Sequence, residues 1–584
     1  MKLAKRVSLH HRASNSDWVY EIDLCQIDRD KYLVNFRSGR RGQKFKEGSK
    51  TVKALSLIEA EKIFNKLIAD KKNQGYRDVD KLESAIASKT DTDNFQDPRH
   101  LAIIDRLAKR NEEKWPLDRV IWRAGELKIK NAVPLLLQLI GTGKPLRDYC
   151  IAWALGKCGD RRAIQPLQTL TDSKTHPEHI RRIAWEALYK LASDKERTQM
   201  RSQKIDRLPI SLRNSVENGN RKEFEAALEV YLDSKDYKRY EVFGTLYQIS
   251  DRFVRPTIIS LVKNAPFQPN YFKQLRHIFK MAEYREDAEV FGILAYRFEI
   301  HPGTFKNHPE WKYDKVQRRY ICHKNRHHTK ELKKPNSNKA YSEQTREYLR
   351  RRVWRTLKTL GEENEASYVN LATETLLQYS DADAENIKFS TYRKYDRQTR
   401  SYKTHEVYWD KFASRIILNH ILYENSPRYQ SHPQAWRCRE GYKPGNPTPE
   451  AREEAFPQLW NDRPSALIRL LLHSKCLPIH EFAVKALTEN QQYCDRLQIP
   501  TVIQLLNTTY KITAEFAFNL ASNKYNPQLP DRELVLAVAN CILNTAREYA
   551  YQWIEAQKEY FFSSSNFIAN IVTSDRTDTR VFAR

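Results

Sequence analysis

Three segments of the sequence repeat one pattern: Trp122-Arg-Ala-Gly-Glu-Leu127, Trp153-Ala-Leu-Gly-Lys-Cys158 and Ile183-Ala-Trp-Glu-Ala-Leu188. The first two begin 31 residues apart, and the tryptophan of the third follows Trp153 by 32 residues. A period of this length that places small side chains beside large ones is typical of stacked helix pairs, in which each pair buries its apolar stripe only against its neighbours. We therefore predict a mainly α-helical chain whose repeats form an α-solenoid. We assign the Trp, Leu and Ala stripes to its core and not to a cofactor site.

The composition fits a folded, basic protein. The chain has 584 residues, of which 40% are apolar and 11% aromatic, and its formal net charge is +27. This length predicts several domains or one long repeat array, and the aromatic content argues against disorder. No apolar run approaches the roughly 18 residues of a membrane span, and the basic N-terminus lacks the apolar stretch of a signal peptide. Eight cysteines without a CxxC pair indicate reduced thiols. We expect a cytoplasmic protein with no membrane partner.

The positive charge is concentrated in three windows. Residues 1–80 carry a net charge of +7, residues 301–360 carry +12, and residues 391–440 carry +5, which leaves +3 for the remaining chain. Charge that serves only solubility would be spread along the sequence. Localised charge indicates a polyanionic partner instead, although an ordinary solvated face rich in Lys and Arg remains the alternative.

The first eighty residues predict a β-hairpin followed by a helix. Residues 18–27 alternate imperfectly between apolar and polar, Asp28-Arg-Asp30 is a turn signal, and residues 32–36 form the return strand. Ser56-Leu-Ile-Glu59 has the spacing of a capping box, and apolar residues follow it at helical intervals. Gly75-Tyr76 would end this helix.

Basic residues cluster where the return strand ends. Residues 31–53 contain eight basic side chains and one acidic one, and Gly39 and Gly42 allow the backbone to turn sharply beside an anion. Arginine binds phosphate through two parallel hydrogen bonds, and lysine binds it as a point charge. A solvated hairpin is the alternative. The candidate nucleic-acid-binding residues here are Phe36, Arg37, Arg40, Arg41, Lys44, Lys46 and Lys50.

The basic middle of the chain supplies a second set of candidates. The segment Trp311-Lys-Tyr-Asp-Lys-Val-Gln-Arg-Arg-Tyr320 interleaves aromatic and basic residues, as single-strand-binding surfaces do. Residues 342–360 predict an amphipathic helix with an apolar stripe at Leu349, Val353, Leu357 and Leu360. The opposite face would carry a cationic stripe. The candidates for phosphate contact in this region are Arg318, Arg319, Arg351, Arg355 and Lys358.

The N-terminal features occur in the order that defines the WGR domain, which residues 10–80 resemble. This sheet-and-helix module is found in poly(ADP-ribose) polymerases and in bacterial proteins of the molybdate-metabolism-regulator type. In the polymerases it binds DNA ends, so the resemblance implies a DNA partner. Gly39 and Arg40 take the G and R of the motif, but Ser38 replaces its tryptophan. A serine cannot stack on a nucleotide as an indole can, and Phe36 or Trp18 would have to substitute.

The repeated helical segments resemble HEAT repeats, and the match rests on both spacing and residue classes. The segment Tyr348-Leu-Arg-Arg-Arg-Val-Trp-Arg-Thr-Leu-Lys-Thr-Leu-Gly-Glu362 resembles part of large bacterial proteins that join a WGR module to HEAT-like helices. This resemblance implies a mainly α protein: a HEAT-like α-solenoid with a small N-terminal β-sheet-plus-helix domain.

We divide the chain into five parts on these patterns. They are a WGR-like domain (1–80), HEAT-like helical repeats (81–296), a basic helical or irregular region (297–441), a Pro/Gly linker (442–457) and C-terminal helical repeats (458–584). The linker prediction rests on Lys443-Pro-Gly-Asn-Pro-Thr-Pro449.

No pattern predicts a cofactor, a metal site or an active site. Cys322 and five nearby histidines lack the spacing of a zinc site. Gly141-Thr-Gly-Lys144 lacks the first glycine and the final Ser/Thr of a phosphate-binding loop. The GxSxG, HExxH and GxGxxG motifs are absent, and nothing resembles a polymerase catalytic domain. We therefore do not expect an enzyme.

Two functions remain in competition. The first is a non-enzymatic nucleic-acid-binding protein, with DNA expected over RNA and contacts to the backbone, that acts as a scaffold or regulator in DNA repair or nucleic-acid processing. The alternative is a HEAT-type scaffold for protein partners, whose basic patches receive an acidic protein. Ser38 favours the alternative, because it removes the family tryptophan.

Overall fold

The computed structural model describes residues 2–13, 16–28, 30–40, 46–51, 54–74, 77–78, 97–110, 116–142, 145–172, 176–236, 238–249, 251–303, 310–323, 341–396 and 401–584. The chain divides into two compact units, residues 1–101 and 102–584. Over its described residues the protein is mainly helical, with a small antiparallel sheet near the N-terminus. The predicted fold class is confirmed at this level, and the solenoid arrangement of the helices stays a prediction.

The first unit contains a five-stranded antiparallel sheet with the strand order β4-β3-β2-β1-β5. Its strands are β1 (Lys2–Ala13), β2 (Ser16–Asp28), β3 (Lys31–Arg40), β4 (Lys46–Ser49) and β5 (Arg77–Asp78). Tyr20, Ile22 and Leu24 alternate inward along β2 and form the core with residues of the helix α1 (Leu57–Asn73). The register pairs Tyr20 with Ser38.

Helix α1 begins as the sequence predicts. The Ser56 hydroxyl accepts a hydrogen bond from the Glu59 N–H at 3.4 Å, and the Glu59 carboxylate accepts one from the Ser56 N–H at 3.3 Å. This reciprocal capping box satisfies two of the backbone donors that a helix N-terminus leaves unpaired. Ala60 and Phe64 are buried against the sheet.

The rest of the described chain is built mainly from helices. The helices up to the basic middle are α2 (Pro98–Lys109), α3 (Leu117–Glu126), α4 (Val133–Gln138), α5 (Pro145–Cys158), α6 (Ile164–Asp172), α7 (Glu178–Leu191), α8 (Asp194–Ile205), α9 (Ile210–Glu217), α10 (Arg221–Asp233), α11 (Val242–Ile249), α12 (Arg255–Asn264), α13 (Pro269–Arg285), α14 (Ala288–Ile300) and α15 (Glu343–Glu362). The later helices are α16 (Ser367–Leu376), α17 (Ile416–Tyr423), α18 (Pro457–Asn461), α19 (Pro464–His473), α20 (Leu477–Thr488), α21 (Gln491–Asp495), α22 (Ile499–Leu506), α23 (Lys511–Lys524), α24 (Arg532–Asn540), α25 (Asn544–Ala556), α26 (Lys558–Phe562), α27 (Ser565–Val572) and α28 (Thr577–Phe582). None of the described helices is long and apolar enough to cross a membrane.

The three repeated segments lie on α3, α5 and α7, which pack side by side. Trp122 and Trp153 stack with ring centroids 3.8 Å apart and planes 7° apart. A glycine in each of the first two segments permits the close approach of the helices: a Cβ on Gly125 would lie 2.6 Å from the Ala154 Cα, and one on Gly156 would lie 2.7 Å from the Ala187 Cα. The repeated spacing of small and large residues therefore reflects helix packing.

The predicted linker, residues 442–457, is packed against the helices on both sides of it. The Lys485 Nζ donates hydrogen bonds to the carbonyls of Pro449 and Ala451 at 2.5 and 2.6 Å. Glu453 is buried and paired with Arg428, whose Nη2 lies 2.7 Å from its Oε2. One continuous apolar core runs from Leu208 to Ile571, past this segment.

The basic middle contains two β-hairpins among its helices. One pairs β6 (Glu310–Asp314) with β7 (Arg319–His323), and the other pairs β8 (Lys388–Asp396) with β9 (Ser401–Trp409). A short pair, β10 (Tyr429–Gln430) and β11 (Arg437–Cys438), follows. The sequence predicts helical or irregular structure for this region and does not indicate the hairpins. A strand that buries neither face does not need to alternate apolar and polar residues, so its two-residue period is hidden among charged and aromatic side chains.

Candidate nucleic-acid interface

A row of cations crosses three neighbouring helices of the second unit. On α13, Lys273, Arg276 and Lys280 follow one another at three- and four-residue spacing, so they occupy one face of the helix. We call the following set the cationic ridge: Arg182 on α7, Lys273, Arg276 and Lys280 on α13, and Arg352 and Arg355 on α15. Among the residues that the structure describes, no carboxylate forms an ion pair with Lys273, Arg276, Lys280 or Arg355.

Two titratable groups within the ridge report its positive potential. Burial, together with the smaller effects of the charges of Arg182, Lys280, Lys273 and Arg276, lowers the pKa of His277 to about 3. Partial burial acts to raise the pKa of the Tyr348 hydroxyl, yet the cations Arg352, Lys280 and Arg355 bring it below its ordinary value. A phenol whose pKa is depressed lies where negative charge is favoured.

Burial and mutual repulsion also act on the ridge cations themselves. Burial lowers the pKa of the Lys280 ammonium, and the neighbouring charges of Arg352 and Arg276 add to this effect. The pKa of Arg276 is lowered for the same reasons, first burial and then the charge of Arg352. These two cations are therefore partly desolvated and lie close enough to Arg352 to be repelled by its charge.

Glu283 fixes Arg352 within this row. Its carboxylate accepts two hydrogen bonds from the Arg352 Nε at 3.1 Å each and a third from Nη2 at 2.5 Å. The Thr356 hydroxyl donates to the same carboxylate at 2.6 Å. This partly buried ion pair joins α13 to α15 and places the exposed cations of the two helices on one surface.

The predicted amphipathic character of α15 agrees with its burial. Its apolar stripe is buried, with Leu349 at 3% exposure and Val353 and Leu357 at zero. Arg351 and Arg355 are exposed, and Lys358 is exposed with its Nζ 3.8 Å from a Glu362 carboxylate oxygen. The helix thus presents the cationic stripe to solvent. Arg352, which is not among the candidate residues, holds the helix to α13 through its ion pair with Glu283.

An open groove of about 850 Å³ borders the ridge. It lies among α2, α3, α5, α13 and α15, and Arg352 and Arg355 belong both to its wall and to the ridge. Tyr348 also lines the groove. Its other side carries the stacked Trp122 and Trp153. Cations and aromatic rings therefore face the same groove.

The candidates in the first unit are more constrained than their sequence indicates. Phe36 stacks on Tyr20, with ring centroids 5.5 Å apart and planes 2° apart, so its ring belongs to the core of the sheet. Arg37 forms an ion pair with Glu21, its partner across the β2–β3 register. Lys50 is exposed, with its Nζ 5.0 Å from the centre of the Phe36 ring.

The other candidates of the first unit lie partly or wholly outside the described residues. The backbones of Arg40 and Lys46 pair with Trp18 and Ser38, and their side chains are not among the described ones. Arg41 and Lys44 fall outside the described residues altogether. The clustering of these basic side chains around the hairpin stays a prediction.

The hairpin β6–β7 carries Arg318 and Arg319 at its tip. Arg318 occupies the left-handed region with a φ of 51°, and the Arg319 Nε donates to the Gln317 side-chain oxygen at 2.9 Å. Both arginines are exposed. The cross-strand register places Trp311, Tyr313 and Tyr320 together on one face.

The sequence contains a local signal for the α13 cations. Four residues with basic side chains recur at the three- and four-residue spacing of one helix face: Lys273, Arg276, His277 and Lys280. The net charge summed over stretches of sequence does not reveal these cations, because apolar and acidic residues of the same stretch dilute them. Their importance depends on packing beside α15, about seventy residues away in sequence.

The described residues contain no group of three His, Cys, Asp or Glu side chains arranged to hold a metal ion. Of the five histidines near Cys322 in sequence, His301 packs against the Phe267 ring, and His308, His327 and His328 fall outside the described residues. Comparison of the chain with protein-family profiles and with curated proteins gives no match.

Proposed function

We propose that this chain is a non-enzymatic nucleic-acid-binding protein that acts as a scaffold or regulator in DNA repair or nucleic-acid processing. The observation that carries the proposal is the cationic ridge, whose charges meet few carboxylates of the described residues. Phosphate oxygens would supply the missing negative charge, and a row of cations on adjacent helices suits a linear polyanion. The resemblance of residues 10–80 to the WGR domain favours DNA over RNA.

The ridge would bind the sugar–phosphate backbone and not read base sequence. Its members are charged side chains at helical spacing, and contacts of this kind position a nucleic acid without selecting its sequence. A HEAT-like solenoid would hold such cations at fixed intervals along its length. Binding would then be strongly salt-dependent and tolerant of sequence.

The test compares two double charge reversals in the full chain. Lys273→Glu with Arg276→Glu removes two ridge cations, and Lys222→Glu with Lys558→Glu makes the same change in net charge at exposed helical positions elsewhere. We expect the ridge variant to lose at least tenfold in affinity for single-stranded, duplex and nicked DNA at low salt, and the control to change little. Fluorescence anisotropy measures both. Absence of binding by the wild-type protein at low salt, or equal losses in the two variants, contradicts the proposal.

A protein scaffold is the second candidate function. The groove beside the ridge exposes Leu146, at 62%, next to the Trp122–Trp153 stack, and apolar contacts rimmed by charge are typical of protein interfaces. Leu146→Glu separates the two functions. Loss of a co-purifying protein with DNA affinity intact supports the scaffold, and loss of DNA affinity in the ridge variant with the partner retained supports the first proposal.

A further inference from the structure

The two exposed hairpins repeat one sequence. Lys312-Tyr-Asp-Lys-Val-Gln-Arg-Arg-Tyr320 and Lys394-Tyr-Asp-Arg-Gln-Thr-Arg-Ser-Tyr402 are 82 residues apart, and they share the Lys, Tyr, Asp, Arg and final Tyr. A basic residue follows the aspartate in both. The hairpin β6–β7 contains the first copy, and β8 and β9 carry the two ends of the second.

The two copies also share their geometry. Tyr313 pairs with Tyr320 across the first hairpin, and Tyr395 pairs with Tyr402 across the second. The ring centroids are 5.2 Å apart in each pair, and the ring planes meet at 63° and 64°. In each hairpin the next cross-strand residue pair toward the turn contains the shared aspartate: Asp314 pairs with Arg319, and Asp396 pairs with Ser401. The repeated residues therefore build the same edge-to-face tyrosine pair twice.

Neither tyrosine pair contributes to a core. Tyr313 and Tyr320 are 52% and 66% exposed, and Tyr395 and Tyr402 are 48% and 70% exposed. Each aromatic face carries a further large ring that is more than 60% exposed: Trp311 lies two residues from Tyr313, and Phe389 lies six residues from Tyr395 along β8. Exposed rings at repeated positions cost free energy in water, and this cost is offset when a ligand covers them.

Both hairpins also carry cations. In the first hairpin Lys312 and Arg319 lie on the opposite face from the tyrosines, and Lys315 and Arg318 occupy the turn. In the second hairpin Arg393 shares the face of Tyr395, and Lys388 and Lys403 lie on the other face. Aromatic rings interleaved with cations match a ligand with flat apolar rings on a negatively charged chain.

We propose that the two hairpins are a duplicated element that stacks the unpaired bases of single-stranded nucleic acid on its tyrosine pair. This inference rests on the proposed nucleic-acid-binding function and adds that the protein prefers single-stranded nucleic acid to duplex. Every base offers a ring face, so such stacking tolerates any sequence, whereas the bases of a duplex already stack on one another. The ridge contacts phosphates in either form, and the hairpins add affinity only for the single strand.

The test uses an oligothymidylate and a duplex of equal length with the full chain. Tyr313→Ala with Tyr320→Ala, and Tyr395→Ala with Tyr402→Ala, should each weaken oligothymidylate binding about tenfold and change duplex binding less than about twofold. The corresponding Tyr→Phe pairs retain the rings and should retain affinity. Tyr549→Ala, an exposed tyrosine on α25, is the matched control.

The outcomes separate this inference from the function on which it rests. Unchanged oligothymidylate affinity in both alanine pairs, or equal losses for single strand and duplex, overturns base stacking by the hairpins. In that case the ridge variant Lys273→Glu with Arg276→Glu still weakens both ligands, and the proposed function stands. Polyglutamate of the same length is the last probe: if it binds as tightly as oligothymidylate and depends equally on the tyrosines, the hairpins receive acidic protein, and the inference is overturned.

Discussion

Gly156 and Gly244 both lie inside helices, but a methyl group would meet different surroundings at the two positions. A Cβ on Gly156 would overlap the Tyr284 hydroxyl and lie 2.7 Å from the backbone of Ala187, whereas one on Gly244 would meet only the Gln274 Oε1 at 3.9 Å. Helix propensity alone predicts that alanine stabilises either helix by about 1 kcal/mol. Overpacking at Gly156 costs about 1–3 kcal/mol and should outweigh this gain.

We therefore expect Gly156→Ala to lower the midpoint of urea unfolding and Gly244→Ala to leave it unchanged or raise it. Circular dichroism at increasing urea concentrations measures both midpoints. A stabilised Gly156→Ala protein would mean that α5 and α7 do not approach each other as closely as the structure places them.

His277 makes stability depend on pH. Its pKa in the folded protein is about 3, against the ordinary value of 6.5, chiefly because it is buried and then because the ridge cations repel its charged form. Between these two values the unfolded chain binds the proton and the folded protein does not, so the free energy of unfolding falls as the pH falls from 6.5 toward 3. One proton corresponds to at most about 1.4 kcal/mol per pH unit.

His277→Gln should flatten this dependence between pH 6 and pH 4, because glutamine does not titrate. Urea unfolding at several pH values in that window measures the slope, and His473→Gln, an exposed histidine on α19, is the control. Equal slopes in the wild-type and His277→Gln proteins would show that His277 is accessible to protons in the folded state.

At the scale of elements, α13 and α15 are joined by the ion pair of Arg352 and Glu283. Removing one member of a fully buried pair leaves the other charge uncompensated and costs about 3–5 kcal/mol, and water lowers this cost for a partly buried pair such as this one. Glu283→Gln should therefore destabilise the protein by less than that amount, and adding Arg352→Met should recover much of the loss. Thermal unfolding of the single and double variants measures this coupling. Additive losses in the double variant would mean that the pair does not hold the two helices together.

The elements that the sequence predicted best are those whose pattern is local. The capping box of Ser56 with Glu59, the apolar stripe of α15 and the strand around Tyr20 all depend on spacing within one segment. Strand β1 was not predicted, because its basic residues hide Val7 and Leu9, which pack inward only once β2 pairs with it.

The candidate site was harder to predict because it depends on distant segments. No spacing rule indicates that Phe36 stacks on Tyr20 or that Arg37 pairs with Glu21 across the sheet. The ridge needs α13 beside α15, and the hairpins needed a comparison of two segments 82 residues apart. Contacts between segments of this kind are set by packing, which a single sequence does not encode in any local pattern.

At the scale of the whole molecule, the net charge of +27 is less informative than its arrangement. Much of the charge elsewhere is paired within the fold, as in Arg255 with Asp287 and Arg428 with Glu453. The ridge differs in grouping Lys273, Arg276, Lys280 and Arg355, which meet no described carboxylate, on two adjacent helices. Net charge of the whole chain would attract any polyanion weakly, whereas a defined row of cations predicts a fixed number of phosphate contacts.

The salt dependence of binding counts those contacts. For duplex DNA, the logarithm of the affinity falls with the logarithm of the salt concentration with a slope of about 0.9 for each neutralised phosphate. Lys273→Gln with Arg276→Gln removes two contacts and should reduce the magnitude of the slope by about 1.8. Lys222→Gln with Lys558→Gln removes the same net charge from exposed positions off the ridge and should leave the slope unchanged. Equal changes in the two variants would mean that overall charge, and not the ridge, holds the nucleic acid, because only a localised interface distinguishes cations by position.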